Sequence, residues 1–291
     1  MKPRMEDPRS KEPQPPFPSQ HQEPPGLERD MSPRPDYGEQ SYVGHGRLEG
    51  RRAFVSGGDS GIGRAVALAF AREGAQVAIG YLPEEEPDAR EAVAAIEASG
   101  QQCLALPGDI CDPATCHQSI DRVVKEFGGI DILVNNAAMQ RTHSSMLEIS
   151  PEELDRVFRT NIFAMFYLCQ AAIPYMKPGS SIVNTASIQA FKPSPSLLHY
   201  AATKGAIVNF TKGLSQELAE KGIRVNAVAP GPIWTPLIPT TMETKDFGKQ
   251  APLKRAGQPA ELAPVYVLLA STESSYVTGM TYGVTGGELF T

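Results

Sequence analysis

The sequence lacks an apolar run long enough to cross a membrane. Its longest run, residues 162–173, is interrupted by Gln170 and falls short of the roughly 20 apolar residues that a membrane-spanning helix needs. The first residues are charged and rich in proline, and no apolar segment of the signal-peptide type follows them. These features predict a cytoplasmic protein without a membrane partner.

Cysteine is also scarce. The four cysteines, Cys103, Cys111, Cys116 and Cys169, form no Cys-x-x-Cys pair, which predicts reduced thiols rather than a disulfide framework. Cys111, Cys116 and His117 are close in sequence, but their spacing matches no common zinc pattern. The sequence therefore predicts no metal site.

Blocks of basic residues are missing as well. The formal net charge is -6, and an acidic balance without a Lys/Arg cluster argues against a nucleic-acid partner. The 291 residues suffice for one large α/β domain or two small domains.

Residues 1–47 differ in composition from the rest of the chain. They contain ten of the 26 prolines, mixed charges and few aliphatic side chains, so they bury too little apolar surface to fold alone. One interpretation is a disordered tail. The other is an arm that packs on its own domain or on a neighbouring subunit through spaced apolar residues such as Phe17, Leu27 and Met31. Residues 48–291 form the predicted folded domain.

From residue 51 onward, short apolar runs alternate with helical patterns. Continuous apolar runs are typical of parallel strands with both faces covered, and alternating strands and helices form right-handed crossovers. The pattern predicts a doubly wound α/β fold with a seven-stranded parallel sheet and helices on both faces. The predicted strands span residues 52–56, 76–81, 102–106, 130–134, 181–186, 225–229 and 281–284, and one long helix spans residues 151–176.

A glycine-rich turn follows the first predicted strand. Gly57, Gly61 and Gly63 are spaced Gly-x3-Gly-x-Gly between a strand and a helix, the context in which such a motif binds a dinucleotide. Glycine allows a tight turn and a close approach of the ligand. The helix N-terminus offers N–H groups and the positive end of its dipole to a pyrophosphate. The turn predicts a Rossmann-type dinucleotide site. Residues 48–291 are therefore predicted to form the dinucleotide-binding catalytic domain.

A second motif lies at the start of a later helix. Tyr200 and Lys204 are four residues apart, which places both side chains on one helical face. Ser187 precedes Tyr200 by 13 residues at the carboxyl end of a strand, where open α/β sheets bind ligands. A free phenol has a pKa of about 10, and a neighbouring ammonium favours its ionised form. We therefore predict that Tyr200 is a general acid/base and that Lys204 lowers its pKa.

Together these motifs resemble those of the short-chain dehydrogenase/reductase family, in its non-extended branch. Asn135-Asn136-Ala137-Ala138 follows the fourth strand and is similar to the family's Asn-Asn-Ala-Gly motif, with Ala138 in place of glycine. Residues 57–61, 81–85 and 193–195 and the proline-rich arm resemble a narrower group, the bacterial aldehyde-reductase and general-stress-protein branch. The resemblance covers residues 48–288.

The resemblance implies an NAD(P)-dependent oxidoreductase, a homotetramer, that transfers a hydride between nicotinamide and a small carbonyl or alcohol. It implies that Lys204 also binds the nicotinamide ribose and that Ser187 donates a hydrogen bond to the substrate oxygen. Asn161 is implied to hold a water that relays protons to Lys204. The residues implied to bind the cofactor are Gly57, Asp59, Ser60, Gly61, Ile62, Gly63, Tyr81, Leu82, Asp109, Ile110, Asn135, Ala137, Ala138, Tyr200, Lys204, Pro230, Gly231, Ile233 and Thr235.

The choice between NAD and NADP stays open, with a lean toward NAD. An acidic residue at the end of the second strand binds the ribose hydroxyls of NAD and repels a 2′-phosphate. Tyr81 stands at that place, acidic residues 84–86 follow it, and Arg64 is the only basic residue of the neighbouring segments that is positioned to pair with a phosphate.

Aldehyde or ketone reduction is the predicted reaction, and sugar or polyol dehydrogenation is the alternative within the family. Trp234, Leu237, Ile238 and Met242 predict an apolar lid, which suits a polyol poorly. His143 and His199 are candidates for substrate contact or for a structural role.

Two other classes fit the motifs less well. Enoyl reductases have a wider spacing between tyrosine and lysine than the four residues found here. A non-catalytic dinucleotide-sensing protein is the remote alternative, because such a protein has little need of Ser187, Tyr200, Lys204 and Asn161 together.

Overall fold

A computed structural model describes residues 6–290 of the chain. Residues 1–5 of the predicted arm and Thr291 of the predicted domain lie outside the described residues.

A seven-stranded parallel sheet forms the centre of the molecule, as the sequence predicts. The strand order is β3-β2-β1-β4-β5-β6-β7. The order reverses between β1 and β4, and open α/β sheets bind ligands at such a point, beyond the carboxyl ends of the strands. The strands are β1 (Arg52–Ser56), β2 (Gln76–Tyr81), β3 (Cys103–Pro107), β4 (Ile132–Asn135), β5 (Ser181–Thr185), β6 (Arg224–Pro230) and β7 (Thr281–Val284).

Helices cover both faces of this sheet. Successive strand residues point to opposite faces, so Val55 packs in the core under α1, α2 and α7, whereas Phe54 packs in the core under α3, α5 and α6. No helix within residues 6–290 is long and apolar enough to cross a membrane. The helices are α1 (Gly61–Arg72), α2 (Glu86–Glu97), α3 (Pro113–Phe127), α4 (Pro151–Phe158), α5 (Ala164–Ala172), α6 (Leu198–Ala219) and α7 (Pro259–Ala270).

The helix predicted over residues 151–176 is interrupted and shorter. A π-helical turn, Arg159–Phe163, separates α4 from α5, and a 3-10 turn, Ile173–Tyr175, follows α5. Pro174 lacks the N–H group that would continue the helix. A π turn inserts an extra residue and is frequent at functional sites. Asn161 lies within this π turn, and its side chain points inward and is buried.

The described part of the N-terminal arm, residues 6–47, packs on its own domain. The Phe17 ring stacks on Trp234 with 4.4 Å between ring centroids, and the indole Nε1 of Trp234 donates a hydrogen bond to the Pro33 carbonyl at 2.8 Å. Farther along, the Arg64 guanidinium lies 3.8 Å from the centre of the Tyr37 ring. The arm is therefore held by buried aromatic contacts, although its composition alone resembles that of a disordered segment.

Candidate active site

A cavity of about 860 Å³ opens beside the carboxyl ends of the strands. The glycine-rich turn lines one part of it, and Ser187, Tyr200 and Lys204 line another. The predicted site residues that line this cavity are Gly57, Asp59, Ser60, Gly61, Ile62, Tyr81, Leu82, Asp109, Ile110, Ala137, Ala138, Ser187, Tyr200, Lys204, Pro230, Gly231, Ile233 and Thr235.

Three predicted residues lie behind the cavity wall instead. Gly63 packs against the turn itself, since a Cβ there would lie 1.8 Å from the Gly57 carbonyl oxygen. The Asn135 amide donates a hydrogen bond to the Asn184 side chain inside the core at 2.9 Å. The neighbouring Asn136, which is not among the predicted site residues, lines the cavity and donates a hydrogen bond to the carbonyl of Gly57 at 3.2 Å. Asn161, the third, is described below.

The glycine turn needs backbone conformations that favour glycine. Gly57 has φ +63° and Gly61 has φ +50°, in the left-handed region that side chains disfavour. A Cβ on Gly61 would lie only 3.1 Å from the side chain of Thr235. The turn can therefore stay close to the segment after β6, which forms the opposite side of the cavity.

Glu28 of the arm reaches this turn. Its carboxylate accepts a hydrogen bond from the Gly61 N–H at 2.6 Å and one from the Arg64 guanidinium at 3.1 Å. A carboxylate at a helix N-terminus is favoured by the dipole. Burial nevertheless raises the pKa of Glu28 to about 7, against the opposing charge of Arg64. No sequence pattern marked Glu28, because it precedes its partner Gly61 by 33 residues, a separation that includes β1.

Tyr200 and Lys204 occupy the first two turns of α6 and face the carboxyl end of β5. The Lys204 ammonium donates a hydrogen bond to the Thr185 carbonyl at 2.9 Å and lies 5.3 Å from the centre of the Tyr200 ring. The Ser187 hydroxyl accepts a hydrogen bond from the Gln189 N–H at 3.1 Å, and Ser187 lines the cavity together with Tyr200. The three side chains that the sequence selected are thus brought together at one point of the cavity.

Burial controls the ionisation of this cluster. Burial raises the pKa of Tyr200 to about 12, although the Ser187 hydroxyl opposes the rise, and burial lowers the pKa of Lys204 to about 7. The spacing of Tyr200 and Lys204 predicts that the ammonium lowers the pKa of the phenol. Removal from water disfavours the charged form of both groups, so the net pKa of the phenol is raised, and the lowering effect of Lys204 stays a prediction. At neutral pH Tyr200 therefore carries its proton.

Asn161 contacts the backbone of the loop that follows β4. Its amide Nδ2 donates to the Met139 carbonyl at 2.9 Å, and its Oδ1 accepts from the Met139 N–H at 2.8 Å. The same Nδ2 also donates to the Thr203 hydroxyl at 3.0 Å. These bonds hold the loop next to α6, and the water-relay role implied by the family resemblance stays a prediction.

The far end of the cavity is acidic. Burial and the nearby Asp88 carboxylate raise the pKa of Asp59 to about 6. Burial, together with the charge of Asp59, raises the pKa of Glu85 to about 8. Asp59 Oδ2 is buried and has no hydrogen-bond partner within residues 6–290. Asp109, also in the lining, accepts a hydrogen bond from Arg156 at 2.5 Å.

The residues present fit a nicotinamide dinucleotide. The cavity has the volume of a small-molecule site, a glycine turn and helix N-terminus stand at one part of it, and a buried lysine and tyrosine stand at another. The unpaired oxygen of Asp59 is an acceptor suited to a hydroxyl of the ligand.

Comparison with known proteins gives the same assignment. A family model described as enoyl-(acyl carrier protein) reductase matches residues 57–288. General stress protein 39 of Bacillus subtilis is 50% identical over 270 residues, which cover 92% of this chain and 94% of that protein. NADPH-dependent aldehyde reductase 1 of Arabidopsis thaliana is 50% identical, covering 91% and 95% of the two chains. Glucose and ribitol dehydrogenase of Daucus carota is 48% identical, covering 94% and 97%.

Solved structures agree with these relatives. A short-chain dehydrogenase from Burkholderia cenocepacia in complex with NADP has a TM-score of 0.77 and 33% identity, covering 83% of this chain and 98% of its own. A 3-ketoacyl-(acyl-carrier-protein) reductase from Brucella melitensis complexed with NADH has the same TM-score and 35% identity, covering 82% and 98%. The resemblance predicted from the motifs is confirmed, including its aldehyde-reductase and general-stress-protein branch. This chain belongs to the short-chain dehydrogenase/reductase family, whose members are nicotinamide-dependent oxidoreductases acting on CH–OH and C=O groups.

Proposed function

We propose that this protein reduces small aldehydes or ketones, with Tyr200 as the proton donor. The observation that carries the proposal is that Ser187, Tyr200 and Lys204 line one cavity together with the glycine turn, with the Lys204 ammonium 5.3 Å from the centre of the Tyr200 ring. The bound nicotinamide supplies or accepts the hydride.

The proton chemistry belongs to three side chains. Tyr200, protonated at neutral pH, donates its proton to the carbonyl oxygen while the carbonyl carbon gains the hydride. The Ser187 hydroxyl donates a hydrogen bond to the same oxygen and stabilises the charge that develops there. Lys204, in its protonated form, stabilises the phenolate that remains. In the oxidation direction the phenolate takes the proton back from the alcohol.

The substrate end of the cavity is largely apolar, which favours aldehydes and ketones. Leu237, Ile238, Met242 and Phe247 line it. Trp234, predicted as part of the lid, is instead fully buried under Phe17 and anchors the arm. The aldehyde reductase of Arabidopsis supports this substrate class by similarity.

Polyol dehydrogenation remains the second candidate. Gln140, Gln189 and Thr240 also line the cavity and supply polar groups, and the carrot relative is named for glucose and ribitol. Enoyl reduction, the description of the matching family model, is disfavoured by the four-residue spacing of Tyr200 and Lys204.

NAD(H) is the proposed preferred cofactor. Asp59 and Glu85 line the cavity near the end of β2, and carboxylates there repel a 2′-phosphate. Arg64, the basic residue of this region selected from sequence, is engaged by Glu28 at 3.1 Å and by Glu91 at 3.4 Å. Among the solved relatives, one is bound to NADP and another to NADH. The proposed location is the cytoplasm, where the four cysteines, all free in the structure, stay reduced.

The test is oxidation of NADH and NADPH in the presence of a panel of aldehydes, ketones and sugars, with wild type and Tyr200→Phe in parallel. Loss of the phenol proton should lower kcat at least about 100-fold, while calorimetry should show that the variant still binds the cofactor. Tyr175→Phe removes a hydroxyl outside the cavity lining and should keep wild-type activity.

Three results would contradict parts of this proposal. A Tyr200→Phe enzyme that keeps more than a few per cent of the wild-type rate excludes Tyr200 as the proton donor. A higher kcat/KM for NADPH than for NADH excludes the cofactor preference alone. A wild-type protein that binds cofactor but reduces no member of the panel favours the dinucleotide-sensing alternative.

A further inference from the structure

Three metal-ligating side chains converge outside the cavity lining. The Nε2 atom of His143 lies 2.5 Å from Glu153 Oε1, and the Nε2 atom of His199 lies 3.0 Å from the same oxygen. The ligand atoms of the three residues all lie within 4.8 Å of one another. The residues come from different segments: the loop after β4, the first turn of α4, and the first turn of α6.

His199 is a buried side chain whose ring nitrogens lack hydrogen-bond partners among the described residues. Its side chain is 2% exposed, and neither ring nitrogen has a hydrogen-bond partner within the described chain. The contact with Glu153 is short but lacks hydrogen-bond alignment. Buried polar groups without partners are rare in folded proteins, so an imidazole nitrogen aimed at a carboxylate and a second imidazole indicates a missing ligand.

Neighbouring charged residues hold the side chains of this cluster in place. The other ring nitrogen of His143, Nδ1, lies 3.8 Å from Glu148 Oε2, and Glu148 is held by hydrogen bonds from the Ser144 hydroxyl and N–H at 2.7 and 3.0 Å. A carboxylate behind a ligating histidine is the usual way in which proteins orient that ring. Arg141 lies 4.0 Å from Glu153 Oε2, so it contacts the oxygen that does not face the rings.

We propose that His143, Glu153 and His199 bind one divalent transition-metal ion, of which Zn²⁺ is the best match. Two imidazoles and one carboxylate form a known zinc ligand set, with water in the fourth position. Bond lengths of about 2.0–2.2 Å put tetrahedral ligand atoms roughly 3.4 Å apart, within about 1 Å of the two separations observed. The ion would tie α4 and α6 to the loop after β4, next to Tyr200 but outside the cavity lining.

Calorimetric titration of Zn²⁺ into the untagged, chelator-treated full chain tests this site. We expect one Zn²⁺ per chain and a higher Tm when Zn²⁺ is present, because the ion binds the folded state. His143→Ala and Glu153→Gln should each weaken binding at least tenfold and abolish the rise in Tm. Glu148→Gln should weaken it by about tenfold through its effect on His143. Co²⁺ bound in place of Zn²⁺ should give visible absorption bands that both ligand variants lose.

His117→Ala is the matched control, because His117 is exposed on α3 and should leave the affinity for Zn²⁺ unchanged. His143 is only partly buried, so its variant keeps the test interpretable if a variant of the buried His199 fails to fold. Absence of one-to-one binding tighter than about 100 µM overturns the proposal. Binding that is equally tight in the wild type, His143→Ala and Glu153→Gln also overturns the proposal, since the ion then lies elsewhere. Binding is measured without turnover, so the result is independent of the role of Tyr200.

Discussion

At the scale of single residues, Lys204 shows a conflict between function and stability. Its side chain is 2% exposed, and its one hydrogen bond to a described residue, to the Thr185 carbonyl, replaces only part of the lost hydration. Burial lowers the pKa of Lys204 to about 7 from an ordinary 10.5 for the same reason. A buried charge of this kind lowers the stability of the fold, and its presence is explained by a role in function.

Lys204→Met should therefore abolish turnover and stabilise the fold. The expected gain in the free energy of unfolding is about 1–4 kcal/mol near pH 6. The folded-state pKa lies below the unfolded value, so the cost of burying Lys204 is complete below about pH 7 and fades as the pH rises toward 10.5. Chemical denaturation of both proteins near pH 6 and pH 9 checks this. A stability difference that does not shrink with increasing pH contradicts it.

Asn161 illustrates a second residue-scale effect. Its amide satisfies both backbone polar groups of Met139, so a single side chain fixes the loop that borders the cavity. The π turn makes this contact possible, because it turns the residue inward from the middle of what would otherwise be one helix.

At the scale of elements, two contacts of the arm bear on the cavity. Phe17 is 5% exposed and stacks on Trp234, while the Glu28 carboxylate binds Gly61 at the start of α1. The first contact is apolar, and in it Phe17 covers Trp234 in the loop that follows β6. The second joins the arm to the predicted phosphate-binding turn, so the arm is part of the site and not an appendage.

Phe17→Ala should release the front of the arm. Truncation of a buried phenylalanine costs about 3–5 kcal/mol, which raises the population of the detached state by about 100-fold or more. Limited digestion with trypsin, followed by mass spectrometry, should show correspondingly faster cleavage at Lys11, an exposed residue in this front part of the arm. Phe17→Leu keeps most of the apolar contact and should be cleaved more slowly than Phe17→Ala. Equal rates for wild type and Phe17→Ala would show that Phe17 does not hold the arm.

At the scale of the whole molecule, several large apolar side chains of the α4–α5 region are exposed. Phe163 and Phe166 of the α5 region are 38% and 43% exposed, and Leu154 and Tyr175 are 42% and 43% exposed. Leu168 of the same helix packs in the core at 1% exposure, because it lies on the face of α5 that meets α3. An apolar patch of this kind is typical of an interface between subunits.

The predicted homotetramer follows from this surface and from family resemblance. Light scattering at micromolar protein should give about four times the 31.4 kDa mass of the chain. A monomer mass under the same conditions excludes it. Phe166→Asp should lower the measured mass if the patch is buried between subunits, because it places a charge where an apolar contact is needed.

The sequence by itself determined the sheet, the glycine turn and the Tyr200–Lys204 pair. Each depends on local order: apolar runs of strand length, a glycine spacing between a strand and a helix, and a four-residue separation on a helix. Ser187 was found for a related reason, since its place after β5 follows from the strand pattern. Because these patterns are local in sequence, they were enough to predict that these groups lie at the same edge of the sheet.

Only the tertiary structure decided the path of the arm, the contact of Glu28 with Gly61 and the convergence of His143, Glu153 and His199. These contacts join residues far apart in the chain, and no local pattern specifies them. The pKa directions of Tyr200 and Lys204 also required the structure. Charge spacing along a helix predicts a lowered phenol pKa, but desolvation depends on how completely the folded chain excludes water, and in this protein burial is the larger effect.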